Sequence, residues 1–403
     1  MAEAHVTEWA SVLAATARIA ADLDLAEDCV QDAYAKALVR WRADGVPKKP
    51  GAWLTTVATR RALEHRRRAD VVRRKLPLLV PDDDVTDQLF PDDRLRLVFT
   101  CCHPALAQEA QIALTLRLVC GLSSTEIAKA FLVKEATMQA RITRAKQKIY
   151  RSGIAYRIPR TADFPDRITA VLDVIHLVYT AGHTAVDSDG LTRPELARRG
   201  IDLARMVRLL LPDSTEAAGL LALLLLTQAR EAARVGDDGR LVLMEDQDRS
   251  RWDTTLIAEG LELVPKALVD RRGAGRAAVG RFGVMAAIAA VHAEAPRWED
   301  TDWPEILGLY EVLLDRWPSP VVALNRVIAL GYVSGPAEAL GELDKLAADP
   351  ALATYPYLSS TRGELLWRLG RTEEASKAYE EALAFTSNPV EAEFLQRRIT
   401  RGA

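Results

Sequence analysis

The segment Leu122-Ser-Ser-Thr-Glu-Ile-Ala-Lys-Ala-Phe-Leu-Val-Lys-Glu-Ala-Thr-Met-Gln-Ala-Arg-Ile-Thr-Arg-Ala-Lys-Gln-Lys148 carries two helical patterns back to back. Ser124 or Thr125 is placed to cap a first helix that turns Ile127, Ala128 and Phe131 inward. Thr137 then starts a second helix, whose apolar positions Met138, Ile142, Ala145 and Ile149 recur at three or four residues. Burying that stripe leaves Lys134, Thr137, Gln139, Arg141, Arg144, Lys146 and Lys148 outside it. These side chains hydrogen-bond base edges and neutralise phosphates when a helix lies in the major groove. With the small Ala128 and the tight Leu132-Val133-Lys134 connection, the segment reads as a helix-turn-helix with DNA as its ligand; the plainer alternative is a solvated, charged helix pair. Leu132 stands where many such turns carry Gly, so a left-handed turn residue would be strained there.

The rest of the chain is unremarkable in bulk. Its 403 residues, 49% apolar, can bury more than one core and fit two or three domains. No apolar run approaches the roughly 20 residues of a membrane span, and no basic segment leads into an apolar one at the start; the expectation is a cytoplasmic protein without membrane contact. Four cysteines are too sparse for a disulfide framework and lack the spacing of a zinc site. They read as reduced thiols, with Cys101, Cys102 and His103 the one place where a metal or redox role stays open. No cofactor and no metal are assigned.

A net charge of -3 conceals two basic islands. Arg60 to Lys75 holds eight basic residues against two acidic ones, and Lys134 to Arg151 holds six against one. Between them lies Pro81-Asp-Asp-Asp-Val-Thr-Asp87. Upstream, Thr7 to about Arg68 has a helical pattern, with Val30, Tyr34, Ala37, Leu38 and Trp41 forming a stripe and Asp28, Gln31, Asp32 and Lys36 off it. The pattern breaks at Asp44-Gly45-Val46-Pro47, and Pro50 suits the first turn of a new helix through Trp53, Leu54, Val57 and Ala58. Thr56, Arg60 and Arg67 share a face with Trp53. An aromatic beside hydroxyls and arginines offers stacking, hydrogen bonding and phosphate contact to unstacked bases, although Trp53 would also serve as core.

The reading is all-α, with 1–70 a first helical unit, 71–92 a flexible linker, 93–157 a second unit containing the helix-turn-helix, and 158–403 a larger helical extension. Near the C-terminus Gly363, Gly370, Ala375, Tyr379 and Ala382 fall where tetratricopeptide repeats place packing residues, and Tyr310, Leu313 and Pro318 precede Tyr379 by about two repeats of roughly 34 residues. Such arrays usually bind a protein or peptide.

Taken in order, these segments resemble an RNA polymerase sigma factor of the extracytoplasmic-function type. Leu25-Ala-Glu-Asp-Cys-Val-Gln-Asp-Ala-Tyr-Ala-Lys-Ala-Leu-Val-Arg-Trp41 is similar to region 2 helices that dock on core polymerase, which implies contacts by Asp28, Gln31, Asp32 and Lys36. Pro50 to Arg68 resembles the part that melts and reads the minus-ten element, implying DNA contacts by Lys48, Lys49, Trp53, Thr56, Arg60, Arg61 and Arg67. Thr100-Cys-Cys-His-Pro104 through Lys148 resembles region 4, which reads the minus-thirty-five element. Asp246 to Asp253, His292 to Pro296, Asp300 to Trp303 and Ser319 to Arg326 are similar to the long C-terminal extension of one subgroup. The implied partners are core RNA polymerase (beta-prime and beta subunits), promoter DNA and a protein or peptide held by the extension. A helix-turn-helix regulator with a C-terminal sensor is the alternative, but it leaves the first basic unit unexplained. An enzyme built on Asp246, Asp248, Arg249, Asp253, His292 and Glu294 lacks nucleophile-base spacing, HExxH, GxSxG or a phosphate loop, and Gly273 to Gly280 has the wrong glycine spacing; no enzymatic activity is assigned.

Overall fold

A computed structural model of the chain describes residues 2–73, 93–131, 133–159, 163–183, 194–237, 240–269, 279–386 and 388–402. The 74–92 part of the expected linker, the turn residue Leu132 and the glycine-rich 273–278 lie outside the described residues. Among the described residues the fold is helical throughout, apart from one antiparallel bridge between Val235 and Leu241. The chain forms two compact units, Met1–Val178 and Tyr179–Ala403.

The first unit opens with α1 (Ala2–Ala20), α2 (Leu23–Asp44) and α3 (Pro50–Arg73), which pack on one another. The α1–α2 break, absent from the sequence reading, falls at Ala21 (φ 56°), after which the Asp22 carboxylate accepts from the Leu25 N–H at 2.9 Å and caps α2. Val12, Leu13, Val30, Ala33, Leu54 and Ala58 are fully enclosed. Leu38 departs from the expected stripe: it is 46% exposed, one position round the helix from the buried Ala37.

α4 (Asp93–Cys101) and α5 (Gln108–Leu114), the latter continuing as a π-helical turn Thr115–Val119, hold the helix pair α6 (Ser124–Ala130) and α7 (Glu135–Arg151). α6 is capped by Ser123, one residue earlier than expected: Ser123 Oγ accepts from the Glu126 N–H at 3.2 Å while Glu126 Oε2 accepts from the Ser123 N–H at 2.6 Å. The Ser-x-x-Glu spacing closes a reciprocal box that only Ser123 can make. α7 starts at Glu135, two residues before Thr137, and buries Met138, Ile142, Ala145 and Ile149. Full burial of the larger of these contributes roughly 2 kcal/mol each. The first half of α8 (Phe164–His183) returns to this unit: Phe164 meets Phe99 edge to face at 5.4 Å, and Arg167 donates to the Phe99 carbonyl.

The second unit is centred on α10 (Thr215–Gln228), buried from Ala217 through Leu226, with α9 (Pro194–Leu210), the short α11 (Glu231–Arg234), α12 (Thr254–Leu268) and α13 (Arg281–Glu294) around it. Its all-round apolar surface is what a helix enclosed by neighbours requires. Gly219 lets α10 touch α13: a Cβ there would sit 2.5 Å from the Gly283 nitrogen. Glu216, also on α10, accepts from the Phe282 N–H at 3.2 Å and satisfies the start of α13.

Then α14 (Trp303–Arg316), α15 (Pro320–Val333), α16 (Pro336–Leu346), α17 (Pro356–Arg368), α18 (Thr372–Phe385) and α19 (Pro389–Gly402) follow, each packed chiefly on its chain neighbours. Their starts at 303, 336 and 372, and at 320, 356 and 389, advance by 33 or 36 residues. Four of the six open on proline, whose missing N–H costs nothing at a helix start. Successive apolar clusters link them, one around Leu324, Leu343 and Leu358 and the next around Leu366, Tyr379 and Leu395. Gly363 allows the Tyr379 ring to lie against α17.

Candidate nucleic-acid interface

Two helices of the first unit present basic ridges. With 3.6 residues per turn, Thr137, Arg141, Arg144 and Lys148 fall along one side of α7. Thr137, Arg144 and Lys148 are exposed and Arg141 is half-buried. Arg144 Nε donates to the Ala140 carbonyl at 3.2 Å, which lays the guanidinium along the helix, and the Lys148 ammonium reaches the Ala105 carbonyl. Lys134 is exposed just before the helix, and Thr125 Oγ1 donates to Glu135 Oε1 at 2.8 Å, tying α6 to α7.

Gln139 and Lys146 lie on the other side of α7. Gln139 is exposed, whereas the Lys146 side chain is only 10% exposed, with Nζ 2.7 Å from Glu27 Oε2 and 2.8 Å from Asp24 Oδ1. Glu27 also pairs with Arg117 from the π-helical turn. Burial works to lower the Lys146 pKa, but Glu27 and then Asp24 outweigh it and raise the ammonium above its ordinary range. Further bonds join the same two modules: Trp9 Nε1 donates to the Leu118 carbonyl and the Tyr156 hydroxyl to that of Ala14, both at 3.0 Å, and Arg18 Nε lies 3.2 Å from Asp93. Sequence reasoning missed Glu27. Its signal was legible, however, because an acid three residues before Val30 and four after Leu23 falls on the apolar stripe of α2.

On α3, Trp53, Thr56, Arg60 and Arg67 form the second ridge. Trp53 meets Trp41 edge to face at 5.5 Å and keeps part of its surface open, so it is both packing and surface. The Thr56 hydroxyl donates to the Ala52 carbonyl at 2.8 Å, and Arg60, Arg67, Lys48 and Lys49 are exposed. Arg61 is turned to α2, its Nε 3.2 Å from Asp32. Asp28, Gln31, Asp32 and Lys36 all lie on the exposed face of α2, beside Leu38 and the 75%-exposed Val39. Those apolar neighbours extend the face beyond the polar residues expected there.

Cys101 and Cys102 are fully enclosed, and burial pushes the Cys102 thiol up to about 12, which keeps it protonated. His103 Nδ1 accepts from the Ala105 N–H at 3.1 Å. In the second unit Asp253 accepts from the Thr255 and Leu256 N–H groups and caps α12, while Asp248 accepts from the Ser250 N–H. These acids do structural work at helix starts.

Residues 8–71 match the family Sigma-70 region 2, residues 96–149 match Sigma-70, region 4, and residues 167–268 match a family of unknown function, DUF6596. An uncharacterized protein of Rhizobium meliloti (strain 1021) is 39% identical over 406 residues, spanning 98% of this chain and 94% of that protein.

Proposed function

This chain belongs to the sigma-70 family, carrying region 2, region 4 and a long C-terminal extension in that order, and from that premise we propose that it is an extracytoplasmic-function initiation factor that binds core RNA polymerase and directs it to promoters. The observation that carries the reading is the pair of basic ridges, Trp53-Thr56-Arg60-Arg67 on α3 and Thr137-Arg141-Arg144-Lys148 on α7, on two helical segments of the first unit. Cations with hydrogen-bonding and aromatic neighbours grip phosphates and read or trap bases. Opening DNA this way consumes binding energy and needs no nucleophile. α2, with Asp28, Gln31, Asp32, Lys36 and the apolar Leu38 and Val39, is the polymerase-facing surface in this reading.

Elements centred near minus ten and minus thirty-five lie about 25 base pairs apart, roughly 85 Å of duplex. Lys146 of region 4 is 2.8 Å from Asp24 of region 2, so this packed arrangement cannot occupy both elements. It is the protein off the promoter, and engagement requires the two modules to part. The extension, with its 33- to 36-residue helical repeat, is a tetratricopeptide-like regulatory or partner-binding module.

Reconstitution tests this reading. Purified chain added to core polymerase should yield promoter-dependent transcripts, and Arg144→Ala should reduce promoter binding roughly 5- to 150-fold, a loss of about 1–3 kcal/mol for a base contact. Failure to join the polymerase, or no transcript from any template, would refute the function. Removing residues after Pro159 should change activity or its regulation.

A further inference from the structure

Among the described residues of the second unit, Arg230 stands in a group of cations and is itself paired with no anion. Arg230 sits in the turn between α10 and α11, partly exposed; its carbonyl accepts from the Ala233 N–H, but its side chain makes no hydrogen bond or ion pair among the described residues. The charges within its reach are Arg234 and Arg249, both positive, with the Tyr179 hydroxyl the one group that favours its charge. Burial, and then these neighbours, pull the Arg230 guanidinium down to about 10. A cation partly withdrawn from water without a counter-ion carries a desolvation cost, which a native chain usually offsets.

Donors without acceptors surround it. Arg249 lies over the Trp252 ring, 4.4 Å from its centre, and Arg230 lies 6.0 Å from the same centre. Arg249 Nη1 donates to the carbonyls of His292 and Ala295, but its Nη2 is buried and unpaired. Trp252 is 5% exposed and its Nε1–H has no acceptor; His292 Nδ1 is likewise buried and unpaired. Carboxylates do approach the edges, Glu299 and Asp300 near Arg249 and Glu231 and Glu391 near Arg234, but among the described residues none pairs with Arg230.

We propose that Arg230, Arg249, Trp252 and His292 form a binding site for the phosphate group of a small molecule. A tetrahedral oxyanion has enough lone pairs to accept from Trp252 Nε1, Arg249 Nη2 and the Arg230 fork at once, and a guanidinium matches phosphate oxygens in pairs. The site is independent of the basic ridges in the first unit and gives the extension a ligand of its own.

The test uses the full chain at constant ionic strength, with chloride as reference and inorganic phosphate, sulfate and glycerol phosphate as probes, read by calorimetric titration and melting temperature. Phosphate or its monoester should bind and raise the melting temperature. Arg230→Gln should weaken that binding roughly ten- to a hundredfold, the loss of a charged hydrogen bond, and Trp252→Phe about two- to tenfold. Because the basic ridges could also attract phosphate, the difference between wild type and Arg230→Gln is the measure. If Arg230→Gln does not fold, the Trp252→Phe comparison decides alone. Equal binding in wild type and folded variants, or no binding by any probe, overturns the site; binding of sulfate but of neither phosphate probe overturns the ligand class. Preference for glycerol phosphate over inorganic phosphate assigns an organic phosphate, and the reverse assigns the free ion.

Discussion

Replacing Glu27 by Gln should loosen region 2 from region 4. Glu27 is 4% exposed and holds both Lys146 and Arg117, two cations on elements of the other module. Removing one member of a buried pair costs about 3–5 kcal/mol, because the partner stays desolvated without compensation. Two features reduce that here: Gln keeps a hydrogen-bond acceptor, and Asp24 remains 2.8 Å from Lys146, although its side chain is 62% exposed and screened by water. A penalty of about 2–3 kcal/mol on the packed form is expected, roughly a 30- to 150-fold change in the ratio of packed to separated modules. Dyes at Arg42→Cys and Arg151→Cys, with Cys120→Ser to silence the partly exposed native thiol, would report the separation by energy transfer. Transfer should fall in Glu27→Gln and core-polymerase affinity should rise. Lys146→Gln combined with Glu27→Gln should cost less than the two single changes added together, since each removes the same contact. Because Lys146 is raised above the ordinary lysine range, the pair is fully present at neutral pH and weakens only in strong base. Unchanged transfer together with additive single effects would show that this cluster does not hold the modules together.

Three further outcomes concern the second unit. Burial first, and then neighbouring arginines, hold His183 near 3 and His292 near 4, so both are neutral in the folded chain at pH 5 while unfolded histidines are protonated below about 6.5; stability should fall as pH drops through 6.5 to 4, by roughly 3 kcal/mol for His292, in denaturant titrations run across that window. Glu216 has the opposite sign: burial raises its carboxyl to about 7 against the Phe282 and Gly283 N–H bonds, so the folded chain holds its proton more tightly and stability is lost as pH rises from 4.5 through 7. Glu216→Gln keeps an acceptor for Phe282 and should be roughly 2–3 kcal/mol more stable than wild type at pH 8, with no advantage at pH 4. Gly363→Ala would place a methyl 2.7 Å from Tyr379 Cε1, and overpacking of about 1–3 kcal/mol should lower the denaturation midpoint; an unchanged midpoint would mean the ring can move.

Local pattern carried far in this chain. The apolar spacing of α7 identifies its four buried residues, because a helix with a packed side must repeat at three or four. The same logic placed Trp53, Thr56, Arg60 and Arg67 on one ridge of α3, whereas the prolines that open four of the C-terminal helices were not read as helix starts. Boundaries were less legible: the α1–α2 break at Ala21 and the cap at Ser123 rest on one backbone angle and one reciprocal hydrogen bond, which periodicity does not register.

Sequence alone determined the helical class, the order of the two basic modules and the residue types each can offer to nucleic acid, since all three follow from short-range spacing and charge. Tertiary structure alone decided that Lys146 faces Glu27 across 119 residues of chain and that Arg230, Arg249 and Trp252 meet with donors left over. The physical reason is that a side chain's pairing and desolvation depend on what distant segments bring beside it, and nothing in the spacing of its own helix encodes that company.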